Sequence, residues 1–94
     1  MYIFSVNATA KKDMDDIQAG ETMPFIVYIN FKDLFGAEQL CKLYLMNAGF
    51  TDITIGKRKY LTEDQWRDKP MAQQDKALRE ALETGYCVQL FEAH

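Results

Sequence analysis

A chain of 94 residues, 48% hydrophobic and 13% aromatic, is long enough for one packed domain and too apolar for a disordered or fibrous class. Its formal charge of −3 and sequence pI near 5.0 argue against non-specific attraction to nucleic acid or anionic lipid as a main activity. No stretch approaches the roughly 18 apolar residues of a membrane span, and the opening Met-Tyr-Ile-Phe-Ser-Val lacks the basic flank of a secretory signal, so the expected location is cytoplasmic.

Tyr2 to Ala8 sets Tyr2, Phe4 and Val6 against Ile3, Ser5 and Asn7, the alternation of a half-buried strand at or near a sheet edge. Thr9 to Thr22 has only Met14 and Ile17 as sizeable apolar residues, and as a helix it would carry its lysines and aspartates the wrong way round for the helix dipole. The expectation there is a mobile loop, 9–22. Asp13, Asp15 and Asp16 suggest a hard-cation loop, but counting from Asp13 the sixth residue is Gln18 and the twelfth Pro24, where such a loop needs Gly and Glu. A solvated acidic loop is the better reading, and no metal or cofactor is expected.

Pro24 to Phe31 is the densest run of β-branched and aromatic residues, and the sequence is organised around it as a central strand. Phe25, Val27, Ile29 and Phe31 fall on one face and Ile26, Tyr28 and Asn30 on the other. Both faces are largely apolar, so the strand needs cover on both sides, or cover on one and a binding surface on the other. Asp33 as N-cap and Gly49 as the left-handed stop predict a helix from Leu34 to Ala48. Ala37, Leu40, Cys41, Tyr44, Leu45 and Ala48 form its sheet-facing stripe. Leu43 and Met46 lie off that stripe, and a second helix beside the first is the expected cover for them.

Asp52 to Leu61 reads as a strand that a right-handed crossover lays parallel to the central one. Strict alternation from Ile53 and Ile55 would bury Lys57 and Lys59; a bulge at Gly56 shifts the phase, turning both lysines outward and moving Arg58 and Tyr60 to the other side. Thr62 and Gln65 match a capping box for a short turn carrying Trp66. Pro70 opens a second helix, Met71 to Thr84, with Met71, Gln74, Leu78, Ala81 and Leu82 inward, and Gly85 ends it. Tyr86 to Phe91 is a fourth strand.

The expected fold is α+β, with the whole chain, 1–94, as a single domain. It is a two-layer sandwich of about four strands with both helices on one face, a ferredoxin-like variant in the order strand-strand-helix-strand-helix-strand. Catalytic chemistry finds little support: the only histidine is His94, the last residue, Cys41 and Cys87 are far apart in sequence, and the glycines form no phosphate-cradling pattern. In a reducing compartment the two cysteines read as small buried hydrophobes.

The function expected from the sequence is that of a small, acidic, non-enzymatic protein-interaction module, an inhibitor or immunity-type protein or a homodimer, binding through an exposed sheet face. Tyr28, Arg58, Tyr60 and Phe91 are its candidate contact residues, with Lys57 and Lys59 as a charged rim. One alternative is a homodimeric small-ligand-binding regulatory domain. The other is a weak nucleic-acid binder using residues 57–60, although the RNP aromatic pattern is missing and a net charge of −3 opposes it.

Overall fold

A computed structural model of the protein describes residues 1–14, 16–67 and 76–91, without the side chains of Trp66 and Arg67. The elements run β1 (Tyr2–Ala10), β2 (Thr22–Ile29), α1 (Leu34–Asn47), β3 (Phe50–Tyr60), α2 (Glu63–Arg67), α3 (Lys76–Thr84) and β4 (Tyr86–Leu90). The strands form one sheet in the order β3-β1-β2-β4, antiparallel at every junction. The protein is thus α+β, a four-stranded antiparallel sheet with three helices among the described residues. Pro70, Met71, Gln74, Asp15 and His94, each given a role by the sequence, lie outside the described residues.

Two sequence expectations change at the level of topology, the ferredoxin-like order and the shared helix face, and a third is narrowed. β1 is not an edge strand but the one next to the β3 edge, the near-edge place the sequence allowed, paired with β2 from Tyr2–Ile29 to Thr9–Thr22 and with β3 from Tyr2–Tyr60 to Ala10–Phe50. Its exposed Ser5 and Asn7 look like an edge only because the sheet face they occupy is half solvated. β2 and β3 run in the same direction but with β1 between them, and β3 and β4 lie on opposite edges, so the order does not establish a ferredoxin-like arrangement. Finally, the helices do not share a face. Ala37, Cys41 and Leu45 of α1 pack on Phe4, Val6, Ala8, Phe25, Val27 and Ile29, whereas Ala77, Leu78 and Ala81 of α3 pack on Cys87, Ile3 and Tyr28. Neighbouring residues of a strand point to opposite sides, so these are the two faces of the sheet. The physical reason lies in β2: with Val27 on one face and Tyr28 on the other, each face needs its own helix.

Local structure follows local chemistry closely. The Asp33 carboxylate accepts the Gly36 N–H at 2.7 Å, capping α1. Gly49, at φ 100°, ends it with the left-handed turn that side chains avoid. In β3 the register with β1 slips by one residue between Ile55 and Arg58, the bulge expected at Gly56. Arg58 then pairs with Phe4 and Tyr60 with Tyr2 on the α1 face, while Lys59 pairs with Ile3 on the other. A second slip falls between Thr51 and Thr54, where Asp52 takes φ 51°. At Thr62 the Gln65 side chain accepts the backbone N–H at 2.8 Å, one half of the capping box.

The expected mobile loop is shorter and carries its own hydrogen bonds. Met14 and Ile17 exchange both backbone bonds at 2.7 and 2.6 Å, Ala10 N–H donates to Glu21 O at 2.9 Å, and Lys11 N–H donates to Gly49 O at 3.0 Å. The Asp13 carboxylate accepts the Ala19 N–H at 2.8 Å, which gives it a structural task. These bonds are almost all backbone, so no side-chain pattern announced them.

Candidate interaction surface

The six residues expected to form one contact patch are divided by the sheet. Tyr28 lies on the α3 face, half-buried, in a row with Ile3 and Lys59. Arg58 and Tyr60 lie on the α1 face at the β3 edge, where Arg58 is bonded to Glu38 of α1 and the Tyr60 ring meets Tyr2 at 4.8 Å. Lys57 is exposed in the bulge. Phe91, 51% exposed, follows β4 and donates its N–H to Pro24 O, at the end of the sheet away from Tyr60. The structure brings together Arg58 and Tyr60, leaves Tyr28 and Lys59 on one face with Ile3 between them, and sets Phe91 apart from both.

The sheet face not used by α1 is no apolar platform. α3 covers Tyr28 and Cys87 at one end. Beyond it the exposed side chains are Ser5, Asn7, Thr22, Pro24, Thr54 and Gln89, with Ile26 half-buried among them and the exposed Phe91 bonded to Pro24 at the end of the sheet. The Thr9 and Thr22 hydroxyls lie 2.9 Å apart, a neutral polar pair. Such a surface hydrates well and offers little hydrophobic driving force for association.

Apolar surface is instead exposed on α1. Its core stripe is Ala37, Cys41 and Leu45, all fully buried. On the side turned away from the sheet come Phe35, Gln39, Leu43 and Met46, spaced by four, four and three residues along one line of the helix. Phe35 is 70% exposed, Leu43 48% and Met46 50%. Phe31 borders this surface at the N-terminal end, its ring lying over the first turn so closely that a Cβ on Gly36 would come within 2.5 Å of it, whereas Leu34, three residues before Ala37 and seven before Cys41, falls on the sheet side of the helix. The second helix sits on the opposite face of the sheet, so the expected cover for Leu43 and Met46 is not α3. The sequence signal was present, since both residues lay off the core stripe.

Beside this surface, where β2 leads into α1, a cleft of about 590 Å³ is lined by Met1, Phe31, Tyr60 and Leu61 with Asn30, Lys32, Asp33 and Glu63 at its rim. Among the described residues no group of three His, Cys, Asp or Glu side chains is placed to hold a metal. No helix among them is long and apolar enough to cross a membrane.

Cys41 and Cys87 are not joined in a disulfide; both are buried, on opposite faces. Burial, with a smaller contribution from Glu38, pushes the Cys41 thiol up from an ordinary value near 9 to about 12. The unfolded thiol ionises first as pH rises, so the folded state binds the extra proton and stability falls from about pH 8.5 upward, by at most ~1.4 kcal/mol per pH unit. The stability of Cys41→Ala should therefore decline less between pH 8 and 10 than that of the wild type, read by urea denaturation. Equal declines would show that Cys41 ionises as readily folded as unfolded.

Comparison with protein-family models, with curated proteins and with solved structures gives no match. The class defined by the fold and the surface is that of a small α+β domain with an antiparallel sheet, a helix on each face and one helix whose outer side is apolar.

Proposed function

We propose that the chain is a non-enzymatic protein-interaction module whose contact surface is the outer face of α1. The observation that supports this reading is the line Phe35, Leu43 and Met46, three large apolar side chains between 48% and 70% exposed on one helix face. Contiguous apolar exposure of this kind has a hydration cost that a partner relieves, and aromatic and methionine side chains are enriched where proteins meet. Helix-in-groove and helix-on-helix recognition use anchors at this spacing. The sheet-face contact expected from the sequence is replaced here because Tyr28 and Cys87 lie under α3, Phe91 stands apart at the far end, and most of what is exposed between them is polar.

The test is recovery of partners by the tagged protein from a lysate of its own source, comparing wild type with Phe35→Asp and with Thr54→Asp on the polar sheet face. Phe35 and Thr54 are exposed, so both variants should keep the wild-type circular dichroism spectrum. Proteins recovered by wild type and Thr54→Asp should be reduced about tenfold or more with Phe35→Asp, the loss of an anchor worth roughly 1.4 kcal/mol or more. Recovery unchanged in Phe35→Asp, or lost only in Thr54→Asp, would move the contact surface off α1.

A further inference from the structure

We infer that the outer face of α1 pairs with the same face of a second copy of this chain, antiparallel about a two-fold axis near the middle of the helix; this rests on the interaction reading above. A self-pairing surface has to complement itself, and most surfaces do not. This one does in two respects. The first is its symmetry in sequence. Phe35 and Met46 stand at the two ends of the line with Gln39 and Leu43 between them, so reversing the helix lays Met46 of one copy against Phe35 of the other, a sulfur–aromatic contact at each end. The Gln39 amides fall near the axis, where each can donate to and accept from the other.

The second is charge. Of the two rims flanking the line, one carries Glu38 and Lys42, four residues apart, and the other carries Gly36, Leu40 and Asn47. A two-fold axis lying in the interface and crossing the helices brings each rim against its own copy in reversed order. Glu38 of one copy then faces Lys42 of the second, twice over. Glu38 is already paired with Arg58 and its side chain is only 20% exposed, so Lys42 of the second copy meets the edge of that pair rather than a free carboxylate. A parallel pairing would bring the charged rim against the neutral one and lose this match.

The size of the surface sets the strength. With large apolar side chains offering about 150–250 Å² each, the exposed fractions of Phe35, Leu43 and Met46 leave roughly 300 Å² of apolar surface per copy. Adding the rim, the pair buries no more than about 1,000 Å² in total, the range of weak, transient contacts. Such a contact forms a reversible dimer with a Kd in the micromolar range, rather than an obligate one.

Sedimentation velocity of the full chain over a concentration series tests this, with Leu43→Asp and Gln39→Cys as variants. Wild type should pass reversibly from monomer to dimer, and Leu43→Asp, at an exposed position that leaves folding intact, should raise the Kd at least tenfold. Gln39→Cys should form an intermolecular disulfide under mild oxidation while wild type, whose two thiols are buried, does not. A wild type that stays monomeric to millimolar concentration overturns the self-pairing. If partner recovery still depends on Phe35 in that case, the interaction reading stands with a different occupant. A dimer that is indifferent to Leu43→Asp, and a Gln39→Cys that does not cross-link within it, would remove α1 as the dimer contact.

Discussion

Phe4→Ala should cost about 3–5 kcal/mol and leave the protein near its unfolding midpoint at room temperature, because a small domain has only about 5–15 kcal/mol in total. Phe4 is fully buried on an inner strand, with Val27 beside it on β2 and Arg58 beside it on β3. Its ring lies parallel to Tyr2 with centroids 6.0 Å apart, and α1 closes over it through Ala37, Cys41 and Leu45. A chain of 94 residues buries only about 60–65% of its unfolded surface, so one large core ring is a considerable share of the driving force. Urea denaturation measures the loss directly. Phe4→Leu, which restores most of the volume, should recover the greater part of it. A loss below about 1 kcal/mol for Phe4→Ala would mean that the ring is not enclosed between sheet and helix.

Leu78→Ala should cost about 2–5 kcal/mol on the opposite face. Leu78 is fully buried and leads the smaller cluster, with Met1, Leu61, Ala77, Ala81 and Cys87, and with Ile3, Tyr28 and Leu82 at its edge. Its removal leaves a void directly beside Cys87, whose thiol donates to the Glu80 carboxylate at 3.3 Å. The variant therefore makes a second, local prediction. Labelling by a thiol reagent under native conditions should speed up at Cys87 before it does at Cys41, since Cys41 is sealed between α1 and the other face of the sheet. If both cysteines accelerated together, the loss would be global unfolding. If neither changed and stability held, α3 would not be docked on that face.

What could be read from sequence was whatever is written in neighbouring residues. The Asp33 cap, the Gly49 stop and the Gly56 bulge each depend on a few adjacent positions, and each is found where the sequence placed it. The side of the sheet on which a helix lands is not local. Tyr28 and Ile26 made the second face of β2 apolar, a pattern that fits a binding face and a helix-covered face equally well. Only the route of the chain from β3 to the far edge, through α2 and α3, decides between them. The bonded loop was hidden for another reason, since Met14, Ile17 and Glu21 hold it mainly through backbone groups that every sequence possesses.

The candidate surface was half legible. Leu43 and Met46 stood out as apolar residues without a place on the core stripe, and their expected cover was a neighbouring helix. Phe35 gave no such signal, because an aromatic residue in a first helical turn often folds back on the core. In this chain Phe31 occupies the near side of that turn, against Gly36, and Phe35 points away from the sheet. The basic triplet, by contrast, was conspicuous in sequence and is divided in space: Arg58 serves Glu38, and Lys59 lies on the other face.

The most direct measurement of the central claim, that α1 presents the contact surface, is a dilution series of amide NMR spectra of the labelled full chain. Concentration-dependent shifts should be concentrated at Phe35, Gln39, Leu43 and Met46, with Ser5, Asn7 and Thr54 unmoved. Shifts gathered on Ser5, Asn7 and Thr54 while α1 stays silent would contradict it and return the contact to the sheet.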